Sequence, residues 1–95
     1  MRKPKFDSII HAPNRLQICS LLAPLDDAEF QFLRDSLKVS DSVLSKHIKQ
    51  LEEAGYVKQR KEKVGGRQRT WVYLTDIGRS AFASHVEALK DIVAI

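Results

Sequence analysis

The stretch SDSVLSKHIKQLEEAG, residues 40–55, leaves the backbone little choice. Ser40 is a good N-cap, because its hydroxyl accepts a hydrogen bond from a first-turn N–H that has no partner within the helix. Gly55 closes the same helix, since a glycine just past the last periodic residue takes the left-handed conformation without a Cβ penalty. Between the caps, Leu44, Ile48 and Leu51 fall at i, i+4 and i+7 and form one apolar stripe. The rest of the helix is polar. Ser42, Ser45, Lys46 and Lys49 lie away from the stripe, and all four donate hydrogen bonds of the kind that phosphates and base edges accept.

The flanks decide what such a helix belongs to. Upstream, Phe30, Leu33 and Leu37 repeat at helical spacing, and only Lys38 and Val39 separate them from Ser40. Two helices joined so tightly must turn sharply, which predicts a helix-turn-helix over about residues 30–54. Downstream, residues 56–63 and 67–74 read as two strands around Val64-Gly65-Gly66, whose glycines permit the positive φ of a hairpin turn. Val72 and Leu74 alternate with Tyr73, so one strand face is core and the other exposed or covered by another element. Residues 56–74 form a wing. It is strongly basic: Lys58, Arg60, Lys61, Lys63, Arg67 and Arg69 stand against a single acid, Glu62, in a chain whose total charge is +4. A basic hairpin beside a polar helix is the electrostatic footprint of a duplex-DNA reader. The fold class expected is α+β, mainly helical: a winged helix-turn-helix with a three-helix core, a two-stranded wing and a C-terminal dimerisation helix.

At 95 residues the chain makes one domain, residues 1–95, with too little interior for a core plus a sizeable ligand cavity, so any ligand site is expected between subunits. With 43% apolar and 29% charged residues it has the composition of a globular protein rather than a disordered one. No apolar run approaches the roughly 20 residues that span a bilayer, and no signal-peptide pattern opens the chain, so a cytoplasmic location is expected. Cys19 is the single cysteine, which excludes an intrachain disulfide and a cysteine metal cluster. It is read as a buried packing thiol rather than a redox sensor. His11, His47 and His85 show no metal-binding spacing, and His47, on the edge of the apolar stripe, is read as half-buried and structural. Neither metal nor cofactor is expected. No nucleophile with a base, no carboxylate pair and no phosphate-cradling loop appears, so the chain does not read as an enzyme.

Residues 1–5 form a short basic arm, followed by an apolar patch of Phe6, Ile9 and Ile10. Pro13 suits a helix's first turn, residues 14–23 continue it and Pro24 stops it. The segment 25–29 offers either a helix cap at Asp26 or Asp27 or a short strand near Ala28, and the strand is favoured. Thr75 caps a last helix over about residues 76–93, with Asp76 well placed at its positive end. Ile77, Ala81, Phe82, Val86, Leu89, Ile92 and Val93 give that helix a wider apolar face than so small a core covers. The surplus points to a second subunit, with Phe6, Ile9, Ile10, Phe82, Val86, Leu89 and Val93 as the dimer interface.

On the residues HAPNRLQICSLL, FQFLRDSLKVSDSVLSKHIKQLEEAGYV, KEKVGGRQRTWVYLT and LTDIGRSAF, the chain resembles the MarR/ArsR-type winged-helix transcriptional regulators, in their small stand-alone group. The resemblance covers nearly the whole chain. It implies a homodimer that sets two recognition helices in successive major grooves, with the wings toward the flanking minor grooves or the backbone. Carried over by position, it places Ser42, Ser45, Lys46 and Lys49 toward DNA, adds a phosphate contact to the capping role of Ser40, and assigns Lys63, Arg67 and Arg69 to the wing's contacts. The paired cysteines of the metal-sensing branch are absent from SDSVLSKHIK, and the chain is too short for the extra helices that form an effector pocket in the longer branch. A small-molecule effector is therefore unsupported.

Arg67, at the hairpin tip, suits a narrow minor groove, while Lys63 and Arg69 suit phosphates. Lys46 and Lys49 also lie at helical spacing from Glu52 and Glu53, and could pair with them. Asp41 is read as stabilising the helix dipole, or as a selector for cytosine. Trp71 and Tyr73 share a strand face and are read as packing against the last helix or a partner. The reading that results is a dimeric, sequence-specific regulator of transcription that binds double-stranded DNA, a repressor by occlusion. A winged-helix protein-interaction module and an RNA or single-strand binder are the alternatives.

Overall fold

Three helices begin where a side-chain oxygen replaces a missing turn. The computed structural model describes residues 3–94; Met1 and Arg2 of the basic arm, and Ile95, lie outside the described residues. Asp7 caps α1 (Ser8–His11), accepting from the Ile9 and Ile10 amides at 2.9 and 3.1 Å. Ser40 caps α4 (Asp41–Glu53) through the Val43 amide, and Thr75 caps α5 (Asp76–Val93) through that of Gly78. Between them lie α2 (Pro13–Leu22), with proline in its first turn, the short strand β1 (Ala28–Glu29) and α3 (Phe30–Leu37). The strand near Ala28 is the one favoured from sequence.

The helix ends are as specific. Gly55, at φ 82°, lets the Tyr56 amide reach back to the Leu51 carbonyl and its own amide to that of Glu52, both at 2.9 Å. This reciprocal pair terminates α4 and starts β2 (Val57–Val64). α3 instead ends on Lys38, in the left-handed region at φ 57° and ψ 47°. A side chain there costs on the order of 1–2 kcal/mol that glycine avoids. Lys38→Gly is therefore expected to raise unfolding stability by up to about 1 kcal/mol, net of glycine's larger chain entropy, in urea titration. No gain would show that the exposed turn relaxes.

β2 and β3 (Arg67–Leu74) pair antiparallel from Val57↔Leu74 to Val64↔Arg67, and β1 joins the other side of β3 with Ala28 opposite Val72. The turn holds only Gly65 and Gly66, at φ 59° and 80°, the pattern of a type I′ hairpin. Val64 thus belongs to the strand rather than to the turn in which the sequence pattern placed it. The register sets Val57, Val72 and Leu74 on the core face, and Lys58, Arg60, Glu62, Arg67, Arg69, Trp71 and Tyr73 on the opposite one.

The core joins Ile18 and Leu22 of α2, Leu33 of α3, the α4 stripe of Leu44, Ile48 and Leu51, and the inward strand residues. Ile10 belongs to it, fully buried. Its expected place in a dimer interface is corrected: the Asp7 cap winds residues 8–11 into a helical turn that sends Ile10 inward and leaves Ile9 and Phe6 outside, 40% and 47% exposed. On α5, Gly78, His85 and Ala88 face the body, Phe82, Val86 and Leu89 are half-buried, and Ile77, Ile92 and Val93 are open to solvent.

Two contacts fix the start of α5. The Thr75 hydroxyl donates to the Gly55 carbonyl at 2.6 Å, and the Thr75 amide to the Tyr56 carbonyl at 3.0 Å. Arg79 reaches across to donate to the Ala23 and Leu25 carbonyls, both at 2.8 Å, and so closes the open end of α2.

Candidate nucleic-acid interface

The outward face of α4 follows from its inward one. With Leu44, Ile48 and Leu51 buried, Ser42, Ser45, Lys46 and Lys49 are all exposed. Ser40 and Ser42 sit side by side, their hydroxyls 3.2 Å apart at the positive end of the helix. Val43 lies on the same open surface, 37% exposed, an apolar group of the kind that meets a thymine methyl. Sequence reading took the helix outside the stripe as polar and so passed over Val43, which stands beside Leu44 in the sequence but off the buried stripe. Lys46 and Lys49 have no carboxylate within ion-pair distance among the described residues; Glu52 instead accepts from Gln59 of β2 at 2.9 Å.

Asp41 is taken by Arg34 of α3, whose guanidinium bridges Asp35 at 3.1 Å and Asp41 at 2.9 Å. This link spans the turn between the two helices and engages one oxygen of the Asp41 carboxylate, the other having no hydrogen bond among the described residues. The opposite side of α4 is held from α2. Arg15 donates to the Gln50 side-chain carbonyl and to His47 Nδ1, the latter at 3.2 Å, while the Asn14 amide faces His47 Nε2 at 3.3 Å. His47 is half-buried, as its position beside the stripe implied. Burial first, then the Arg15 and Lys46 charges, hold its pKa below the ordinary imidazole value, so the ring accepts from Arg15 rather than repelling it.

The bases of the wing divide into paired and open ones. On the side away from the core, Arg60 bonds Asp27 at 3.0 Å and Glu62 at 3.4 Å, and its guanidinium carbon stands 5.8 Å from the centre of the Trp71 ring. Arg69 bonds Glu29 at 2.7 Å. Trp71 therefore lies between Arg60 and Glu29 on the outer sheet face, its indole N–H buried and without a partner among the described residues. Lys58, Lys61, Lys63 and Arg67 carry no ion pair among the described residues. Of the three wing residues singled out from sequence, Lys63 and Arg67 stand open near the tip, whereas Arg69 must share Glu29 to meet a phosphate. That Arg69 is so engaged was invisible without knowing that β1 lies beside β3.

Cys19 is fully buried, and burial, then the Asp7 charge, push its thiol up to about 12, so it is protonated and inert. His11 and His85, distant in sequence, meet with ring nitrogens 3.2 Å apart. No group of three His, Cys, Asp or Glu residues among the described residues is placed to hold a metal. No helix among them is long and apolar enough to cross a membrane.

Residues 14–93 match the family model described as a winged helix DNA-binding domain. An uncharacterized protein of Methanocaldococcus jannaschii is 36% identical over 81 residues, covering 85% of this chain and 84% of its own. The structure of a transcriptional regulator homologue from Pyrococcus horikoshii OT3 superposes with a TM-score of 0.84 at 32% identity, covering 90% of this chain and 85% of that one. HlyU from Vibrio cholerae shares the fold at TM-score 0.66 and 23% identity, over 92% and 86% of the two chains. With the helix-turn-helix, the wing and the matched residues all in place, this chain belongs to the winged helix DNA-binding domain family.

Proposed function

We propose that the protein is a homodimeric, sequence-specific transcriptional regulator that acts as a repressor by occupying a promoter site. The observation that carries this reading is the open row Ser42, Ser45, Lys46 and Lys49 on α4, joined by Lys63 and Arg67 on the wing, with no carboxylate among the described residues paired to any of these four bases. In the proposed complex Ser42, Ser45, Lys46 and Lys49 face base edges and phosphates of the major groove, Ser40 adds a phosphate contact, and the wing approaches the flank. The resemblance of this chain to a transcriptional regulator homologue supports the assignment.

Pairing runs through α5 and the amino-terminal patch. Ile77, Ile92 and Val93 are 66%, 58% and 73% exposed, and Phe6 and Ile9 add apolar surface beside half-buried Phe82, Val86 and Leu89. A two-fold dimer then reads an inverted repeat with half-sites about 10 base pairs, roughly 34 Å, apart.

The test is fluorescence anisotropy of a labelled random duplex against unlabelled single-stranded competitor across a range of salt. Binding to duplex with a log–log salt slope near 0.9 per neutralised phosphate supports the reading. No duplex binding at low salt overturns it and turns attention to protein partners. Within that assay, Arg67→Ala is expected to weaken binding to A·T-rich flanks several-fold more than to G·C-rich ones, because a narrow minor groove concentrates negative potential. Equal loss on both would show that Arg67 reads phosphates alone.

A further inference from the structure

We propose that His85 is an acid-released latch that holds the amino-terminal strap, residues 5–11, against α5. The strap is stitched to the helix at successive points: the Lys5 amide donates to Ser84 Oγ at 2.7 Å, and the Asp7 amide donates to His85 Nδ1 at 2.9 Å. The Phe6 ring packs edge-on to the His85 ring, centroids 4.8 Å apart. His85 is the one polar side chain among the described residues that is fully buried.

The hydrogen bonds fix where its proton sits. Because Nδ1 accepts from a backbone N–H, it carries a lone pair, and the single proton is on Nε2. Nε2 faces His11 Nδ1 at 3.2 Å, which must then be the acceptor. A second proton has only Nδ1 to go to, where it would set N–H against N–H across 2.9 Å and leave the Asp7 amide without a partner.

The groups around the ring are few. From the strap come the Asp7 carboxylate and the Phe6 ring, and from α1 comes His11. Just before β2, the Tyr56 hydroxyl donates to Asp7 Oδ2 at 2.5 Å, and α2 contributes the protonated Cys19 thiol close to Asp7. Burial first, and His11 second, lower the His85 pKa, while Asp7 pulls the other way. The held ring is thus neutral and the released ring returns to the ordinary value near 6.5, so protons favour release. The strap is fully held above that pH and loosens as pH falls through it. The opening constant therefore rises as pH falls from 7.5 to 5.5, by at most about tenfold, the limit in which the held ring takes up no proton.

Release carries Phe6 away from α5 and breaks the Asp7–Tyr56 bond at the base of the wing. Acid would therefore act on the surface proposed above for pairing, a coupling that rests on that reading; the latch itself does not.

The test is amide hydrogen exchange of the full chain, expressed as protection factors so that the intrinsic pH dependence cancels. Protection at the amides of Asp7, Ile9 and Ile10 is expected to fall from pH 7.5 to 5.5, by at most about tenfold, while that of Leu51 in α4 holds. In His85→Gln, whose amide oxygen can accept but does not titrate, the fall should vanish. A flat wild-type profile overturns the proposal, as does a fall that persists in His85→Gln or disappears in His47→Gln. Should His85→Gln fail to fold, the wild-type His85 ring carbon resonance decides. It must titrate below the ordinary imidazole value while Asp7 protection already falls near 6.5, and a ring midpoint at or above 6.5 overturns the latch.

Discussion

Gly78→Ala is expected to destabilise the fold by about 3 kcal/mol, the upper end for an overpacked site. A Cβ built on Gly78 would lie 2.0 Å from the Tyr56 carbonyl oxygen and 2.8 Å from its carbon. Both are backbone atoms, and that carbonyl already accepts from the Thr75 amide, so no rotamer change relieves the clash. The first turn of α5 would have to back away, stretching the Thr75 cap and drawing Arg79 off the end of α2. For a domain of this size about 3 kcal/mol corresponds to a fall in melting temperature of roughly 12–24 °C. Gly66→Ala is the comparison: nothing lies within 4 Å of its Cβ, so only its positive φ is penalised, at about 1–2 kcal/mol. Similar melting temperatures for the two variants would show that α5 is free to shift away from Tyr56.

The second large effect concerns charge. Replacing Lys46, Lys49, Lys63 and Arg67 together by glutamine is expected to lower affinity for random duplex at least about a hundredfold. It should also flatten the log–log salt slope by about 3.6 per protomer, four phosphates at 0.9 each. Arg60→Gln with Arg69→Gln removes half as many cations, but cations that Asp27, Glu62 and Glu29 already partner. Its slope should change by clearly less than half as much. An equal change per cation in the two variants would mean that the ion pairs of the outer sheet face open freely on DNA, and would leave Arg69 a full phosphate contact. Fold stability of both variants, followed by urea unfolding, separates lost contacts from lost structure.

What local chemistry determines could be read from the sequence. Ser40, Gly55 and Thr75 mark helix ends because each satisfies backbone groups within a few residues of itself, and the Leu44, Ile48 and Leu51 stripe shows its face by spacing alone. The wing was legible from its glycines, but its turn was placed one residue too early: Val64 can pair only once Arg67 is known to be opposite it. The candidate DNA face of α4 emerged because it is what remains after the buried stripe is removed. The partners of the wing arginines did not, since Glu29 meets Arg69 only through a sheet that brings β1 beside β3. Ile10 looked like one of three neighbouring apolar residues, and only the cap at Asp7 separates it from the other two. Arg79 and His85 gave no local sign of their roles; their partners lie more than fifty residues away.

The stitching of the strap to α5 says something about the order in which the molecule comes together. Contacts between residues 5 and 84, and between 7 and 85, enclose almost the entire chain in one loop. The hairpin, by contrast, closes over two glycines. A loop that long has the largest closure entropy to overcome and gains little until the body it wraps is in place. The hairpin and the α3–α4 pair are thus the natural early structures, and the seam where the two ends of the chain meet is the last to be sewn and the first to part.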